Sequence, residues 1–440
     1  MTNAPGSEPQ HGTPGTRDGS GTGPRRVSGD GAASGTAARV SRAVAQRSLA
    51  DPAVTHPLVP VLLGGCPTTS LDGAPAPLDI AYAYPDVPAD SLFGRPAAHG
   101  LDHWAPLLPP LAAPGLGEGN TPLVPLADGV WIKDESRNPT WSHKDRLNRV
   151  AVSAALLAGA PGVVVSSSGN HGASAAAYAA RAGIRCAVFA APDAPPATAS
   201  FLRAHGATVL TVTPRESVWP LVRRVADELG YHPVGNFTPD AHTGHPFGPE
   251  GYKTIAYEIF LSLGEVPADV YVPTGYGELL FGVWKGFREL VLLGLAGRTP
   301  RVHACEPAAG APLAAAVRSG RPAARVRVGP TDAYAIDCAV SGYRGVVALT
   351  ESGGTAHTLT DAQLRSARDE LAAQGMWFEL SAAAGLAALR ATRPAGTGPA
   401  EDGPAVCVAT SSGFKDSATA RRDRYPAQPA DWATVRAALA

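Results

Sequence analysis

Lysine is nearly missing from this chain, with five in 440 residues against 32 arginines. An arginine guanidinium is permanently protonated, whereas a lysine amine can lose its proton and attack a carbonyl carbon. Positive charge is therefore delegated to arginine, a bias genome composition can also produce. Only Lys133, Lys144, Lys253, Lys285 and Lys415 are left for amine chemistry. Charged residues are sparse at 17%, and the net charge is −1, which gives no electrostatic reason to expect nucleic acid or an anionic membrane as a partner. The longest strongly apolar run, 290–296, is too short to cross a bilayer, and no apolar stretch follows the first methionine as a secretory signal would require. The cysteines (Cys66, Cys186, Cys305, Cys338 and Cys407) are odd in number and scattered, without a CxxC pair. That argues against a disulfide framework or zinc site, so no metal is expected and a reducing cytoplasm is.

What is present suits one large or two moderate domains, with 45% hydrophobic residues. Residues 1–55 hold few large apolar side chains and are expected to form a disordered tail, its arginines (Arg17, Arg25, Arg26, Arg39, Arg42, Arg47) solvated or touching a partner. The proline-rich stretch 56–115 is expected to wrap the surface irregularly. Beyond it, short apolar runs alternate with helical stretches. Strands are predicted at 162–166, 186–190, 208–212, 269–273, 302–306 and 405–410, and helices at 173–182, 195–205, 216–229 and 279–293. Continuous β-branched strands alternating with helices imply an α/β fold of parallel sheets covered on both faces.

In such sheets ligands collect at the carboxyl ends of strands, where loops lead into helix N-termini. Three junctions carry unusual loops. Ser166-Ser167-Ser168-Gly169-Asn170-His171-Gly172 offers amides suited to a carboxylate; alone, it reads equally as a helix cap. Pro273-Thr274-Gly275-Tyr276-Gly277-Glu278-Leu279 places two glycines where backbone N–H groups can cradle a phosphate, or form an ordinary tight turn. Thr410-Ser411-Ser412 ends a strand in three hydroxyls.

Together with Asn138-Pro139-Thr140-Trp141-Ser142-His143-Lys144-Asp145-Arg146, these loops resemble the fold-type-II pyridoxal-phosphate enzymes, and within that tryptophan synthase beta superfamily the threonine synthase branch. Gly117-Glu118-Gly119-Asn120-Thr121-Pro122-Leu123, Lys133-Asp134-Glu135, Ser168–Gly172, Gly282–Phe287 and Glu379-Leu380-Ser381-Ala382-Ala383 fall in that branch's order, from about Pro77 to Asp416. The resemblance implies two open twisted parallel-sheet domains, each three layers αβα, with pyridoxal 5'-phosphate in the cleft between them. The expected boundaries are 56–141 for the irregular segment and start of the large domain, 142–255 for the smaller domain, 256–425 for the large domain, and 426–440 for a terminal helix or tail.

The resemblance also assigns roles. Lys144 would carry the cofactor as a Schiff base and move protons during the reaction. Asn170 would meet the cofactor's phenolic oxygen, amides from Gly275 through Tyr276, Gly277 and Glu278 to Leu279 its phosphate, and Thr410, with Ser411 as fallback, its ring nitrogen. Ser167, Ser168, Gly169 and His171 would hold the substrate carboxylate. His143 would face the ring or pack beneath it, and the other four lysines would serve salt bridges or helix ends. A neutral hydroxyl at the ring nitrogen makes a weaker electron sink than a carboxylate. The expected activity is therefore a lyase-type β- or γ-elimination or replacement on a small amino acid, in a cytoplasmic enzyme that resembles homodimers.

Two departures qualify the branch. Gly248 stands where threonine synthases carry a phosphate-binding arginine, which a glycine cannot replace. Glu278 stands in the phosphate loop, where its carboxylate would repel a phosphate; either it turns outward, the expected arrangement, or it serves the reaction. Two alternatives follow: a threonine synthase acting on O-phosphohomoserine whose phosphate is bound by Arg146, Arg149 or His245, and a non-catalytic pyridoxal-phosphate-binding protein.

Overall fold

Three sheets organise the chain in a computed structural model that describes residues 40–71, 75–94, 100–167, 169–191, 196–213, 218–236, 241–398, 402–416 and 431–439. The first is antiparallel, in the order β2-β1-β3, from β1 (Ala43–Ser48), β2 (Thr55–His56) and β3 (Leu78–Tyr82). The expected disordered tail therefore ends earlier than residue 55. Fully buried Gln46 donates to the carbonyls of Pro57 (2.7 Å) and Pro60 (2.8 Å) and accepts from the Leu62 N–H (2.9 Å), and Arg47 pairs with Asp79 at 2.8 Å. Low apolar content misled because buried hydrogen bonds join the packing of Ala43 and Leu49 on the main core in holding this segment. The rest of the tail, with Arg17, Arg25, Arg26 and Arg39, lies outside the described residues. The stretch 56–115 also does more than wrap the surface: Leu101, Trp104 and Leu107 are fully buried in the main core.

Downstream come β4 (Leu123–Pro125), β5 (Val130–Asp134), β6 (Gly162–Ser166), β7 (Arg185–Ala190), β8 (Thr208–Thr211), β9 (His232–Pro233), β10 (Asp269–Pro273), β11 (Arg301–Pro307), β12 (Ala356–Leu359) and β13 (Ala405–Ala409). One sheet has the order β12-β11-β10-β13-β5-β4 and is parallel except for β4; the other, β8-β7-β6-β9, is parallel throughout. Strands β10 and β13 are buried along their whole length, the signature of a sheet covered on both faces. The mixed α/β architecture expected from the alternating pattern is thus present.

The helices that position the site are α1 (Lys144–Leu157), α2 (Asn170–Ala182), α3 (Pro196–Ala204), α4 (Val218–Leu229), α5 (Gly248–Leu263) and α6 (Glu278–Leu292). Helices α1, α5 and α6 approach closely because glycines line the seams. A Cβ on Gly251 would collide with the Arg146 carbonyl, and one on Gly286 with the Lys253 carbonyl. Both obstacles are helix backbone, which cannot swing aside. Gly286→Ala should therefore destabilise the protein by about 1–3 kcal/mol through overpacking, read as a lower urea midpoint.

Candidate active site

Lys144 is the first residue of α1, at the end of a loop leaving the carboxyl end of β5. That loop is pinned twice. Thr140 donates its N–H (2.6 Å) and hydroxyl (2.5 Å) to Asp145, which also accepts from Ser174 at 2.6 Å. Two residues past Lys144, fully buried Arg146 binds Glu135 (2.7 Å) and Glu258 (2.6 Å). Between them Trp141 takes a positive φ of 60°, uncommon for a residue with a side chain. The Lys144 Nζ lies 3.2 Å from the Tyr252 hydroxyl on α5. Burial pushes its amine below the ordinary lysine value, with Glu278 and Cys338 pushing back. A desolvated amine of this kind is the form that attacks a carbonyl.

The ends of β13 and β6 meet this loop. The His143 N–H and ring Nδ1 both contact the Thr410 carbonyl, at 3.0 and 3.1 Å. Burial, with Lys144 beside it, holds the imidazole well below its ordinary value, hence neutral. The Ser411 hydroxyl contacts the Trp141 carbonyl and Asn170 Oδ1, each at 3.2 Å. Ser411 is thus engaged with the loop and with Asn170, while Thr410 supplies its carbonyl to His143. Asn170 Nδ2 in turn donates to both Glu379 oxygens, at 3.1 and 2.9 Å. Burial raises the Glu379 carboxyl despite Lys415 nearby. Glu379 stands in the sequence only as a motif letter and Tyr252 carries no motif signal there, because their partners lie 209 and 108 residues away.

At the end of β10, the loop from Thr274 to Gly277 leads into α6. Gly277 has φ 88° and its Cα lies against Gly345, so both the conformation and the space require glycine. The Phe281 N–H bonds back to the Gly277 carbonyl (3.0 Å), leaving the N–H groups of Glu278, Leu279 and Leu280 without an intrahelical acceptor. Gly275 packs under Cys338 Sγ, and Tyr276 stacks on His242 with centroids 4.1 Å apart.

Glu278 does not turn outward as expected. Its Oε1 accepts the His245 N–H at 3.2 Å, and its Oε2 lies 3.7 Å from His242 Nε2. The carboxylate fits there because Gly244 has no Cβ, which would collide with it. The helix start and the His245 amide draw it inward more strongly than an exposed carboxylate's hydration holds it out. His171 opens α2 with its Nε2 buried and unpartnered, and burial lowers its ring to about 3. Gly169 faces open space; Ser168 lies outside the described residues.

A buried amine, a glycine loop with free helix-start amides and a strand end of hydroxyls fit an aldehyde-bearing aromatic phosphate. The cations considered for a second phosphate are committed elsewhere. Arg146 is saturated by Glu135, Glu258, Thr121 and Thr254, and Arg149 pairs with Asp102 (2.7 Å) and Glu118 (3.1 Å). His245 Nε2 shares a 2.8 Å hydrogen bond with His232 Nε2. Three other lysines form buried ion pairs, Lys133 with Glu258, Lys253 with Glu250 and Glu289, and Lys285 with Asp79 and Glu250, while Lys415 donates to the Thr140 carbonyl at 2.8 Å.

Residues 115–411 match the family described as pyridoxal-phosphate dependent enzymes. The threonine synthase of Methanosarcina acetivorans is 31% identical over 359 residues, spanning 78% of this chain and 86% of that protein. That of Synechocystis sp. is 33% identical over 327 residues, spanning 68% and 78%. Among solved structures, the chain resembles threonine deaminase isoform 2 from Solanum lycopersicum (TM-score 0.58, 19% identity, 69% and 87% covered) and maize serine racemase (TM-score 0.56, 18% identity, 69% and 91% covered). At these identities the last two show the shared fold.

The His232–His245 pair makes the region acid-sensitive. Phe247 donates its N–H to His245 Nδ1 at 3.1 Å, so neutral His245 carries its proton on Nε2 and donates it to His232. Burial lowers His232 from the ordinary 6.5 to about 4. The unfolded chain therefore binds the extra proton first, and stability present above pH 6.5 drains as pH falls toward 4. For one group that is about 3 kcal/mol. Denaturant midpoints measured from pH 7 to 4.5 should fall less steeply in His232→Asn than in the unaltered chain.

Proposed function

This chain belongs to the pyridoxal-phosphate-dependent enzyme family, and we propose that it catalyses β- or γ-elimination or replacement on a small amino acid, with Lys144 as the catalytic residue. Its cofactor is pyridoxal 5'-phosphate, which supplies an electrophilic aldehyde and a ring that accepts electrons from the substrate Cα. The observation that carries the reading is the Lys144 amine 3.2 Å from the Tyr252 hydroxyl, its basicity lowered by desolvation, at the start of the helix that follows the β5 loop. Lys144 Nζ would hold the cofactor through its aldehyde and would move a proton between the substrate Cα and the leaving group or product. Amides from Gly275 to Leu279 would hold the phosphate. Asn170, fixed by Glu379 and Ser411, would border the ring, Thr410 would offer a neutral hydroxyl to the ring nitrogen, and the Ser167–His171 loop would hold the substrate carboxylate. The neutral hydroxyl supports elimination over transamination, which needs fuller charge delocalisation. A cytoplasmic homodimer completes the reading, supported by five unpaired cysteines for the compartment and by the resemblance for the dimer.

The names of the curated relatives favour a second reading, turnover of O-phosphohomoserine to threonine. Against it stand Gly248 at the start of α5 and the commitment of Arg146, Arg149 and His245 to other partners.

The purified protein should show a yellow absorbance band that Lys144→Ala abolishes or shifts, with circular dichroism unchanged and turnover lost. Full turnover by that variant, or a colourless protein that added cofactor cannot restore, would overturn the assignment. Incubation with O-phosphohomoserine should release neither threonine nor phosphate; release of both would establish the second reading.

A further inference from the structure

Resting on the cofactor reading above, we infer that Glu278 selects the substrate's side chain, admitting one that donates a hydrogen bond (a hydroxyl or ammonium) and rejecting its phosphate ester. The carboxylate is largely buried, and its two oxygens differ. Oε1 is held by the His245 N–H at 3.2 Å, whereas Oε2 has only the His242 ring at 3.7 Å, beyond hydrogen-bond range. The His242 imidazole, desolvated and neutral, does not cancel the charge, and the buried Arg344 guanidinium, which also feels Glu278, gives its hydrogen bonds to the Thr243 and Leu78 carbonyls.

A second, independent acceptor lies nearby. His171 donates to the Val234 backbone, which leaves its buried Nε2 as a lone pair without a partner. Glu278 opens α6 one turn before Gly282, which packs on Tyr252, and the Tyr252 hydroxyl meets the Lys144 amine at 3.2 Å, so Glu278 lies at the same end of these helices as that amine. Two acceptors without close donors beside the reacting amine call for donors on the ligand. A phosphate ester brings only acceptors and two negative charges, which a part-buried carboxylate repels. The cofactor's own phosphate escapes this conflict through its own donors, the free N–H groups at the start of α6, while the Glu278 side chain is held toward Gly244 and His245.

The test is a titration of the cofactor-loaded enzyme, following the visible band, with two matched pairs: L-serine against O-phospho-L-serine, and L-homoserine against O-phospho-L-homoserine. The unaltered enzyme should bind the free hydroxyl of at least one pair roughly ten-fold or more tighter than its ester, the size of one charge-assisted hydrogen bond. Glu278→Gln keeps the volume and the acceptor for His245 but removes the charge, and should erase most of that ratio by weakening the hydroxyl ligand and tightening the ester. Glu278→Asp keeps the charge and should retain the preference, which a merely structural role would not predict. Equal or tighter binding of both esters by the unaltered enzyme, or a ratio within two-fold of it in Glu278→Gln, would overturn the inference while the band itself upholds the cofactor reading. Absence of any band in the unaltered protein would overturn both.

Discussion

The site depends on one buried guanidinium. Arg146 meets Glu135 from the end of β5, Glu258 from α5, and the hydroxyls of Thr121 and Thr254, with Lys133 closing the same cluster on Glu258. Two cations face two carboxylates with almost no solvent. Against a well-packed apolar substitute such a cluster adds little stability, yet losing one partner strands a buried charge at about 3–5 kcal/mol. Its consequence here is register. Arg146 lies two residues from Lys144, and Glu258 less than two turns along α5 from Tyr252, so the same bonds that satisfy Arg146 set the amine 3.2 Å from the phenol.

A second buried cluster does for the amino-terminal sheet what Arg146 does for the loop. Lys285 on α6 reaches Asp79 on β3 and Glu250 on α5, and Lys253 joins Glu250 to Glu289. Tyr82 and Tyr84 add hydrogen bonds to Glu250 and Glu289. The antiparallel sheet is thereby fastened to the two helices that carry Tyr252 and Glu278. With three lysines bound in these lattices and Lys415 on a backbone carbonyl, Lys144 is the lysine whose amine contacts a neutral phenol at the site.

Around that amine the protein keeps charge low. His143, His171, His242 and His245 are all held neutral chiefly by burial. In such a setting a carboxylate has long reach, which is why the orientation of Glu278 matters more than its mere presence in a glycine loop.

Much of this was legible in the sequence. The buried strands β6, β7, β10, β11 and β13 followed from apolar runs and their punctuation, because burial on both faces writes itself into consecutive residues, whereas β5 and the helices α1 and α5 were not anticipated. Lys144 stood out because an amine was kept where arginine was the norm, inside an ordered set of motifs. The parts read wrongly share one cause. Ala43–Ser48 is held by Gln46 and Arg47 through bonds to residues whose identity composition does not weigh. Glu278 turns inward because Gly244 and the His245 amide, more than thirty residues upstream, make room and a donor for it. Asn170 meets Glu379 across 209 residues. The sequence by itself determined the α/β class, the family and the candidate lysine, since these rest on local propensity and contiguous motifs. Only the tertiary structure decided which carboxylate faces the site, which cations are already spent and which acceptors stand open, because those are contacts between distant segments and exist only once the chain has closed on itself.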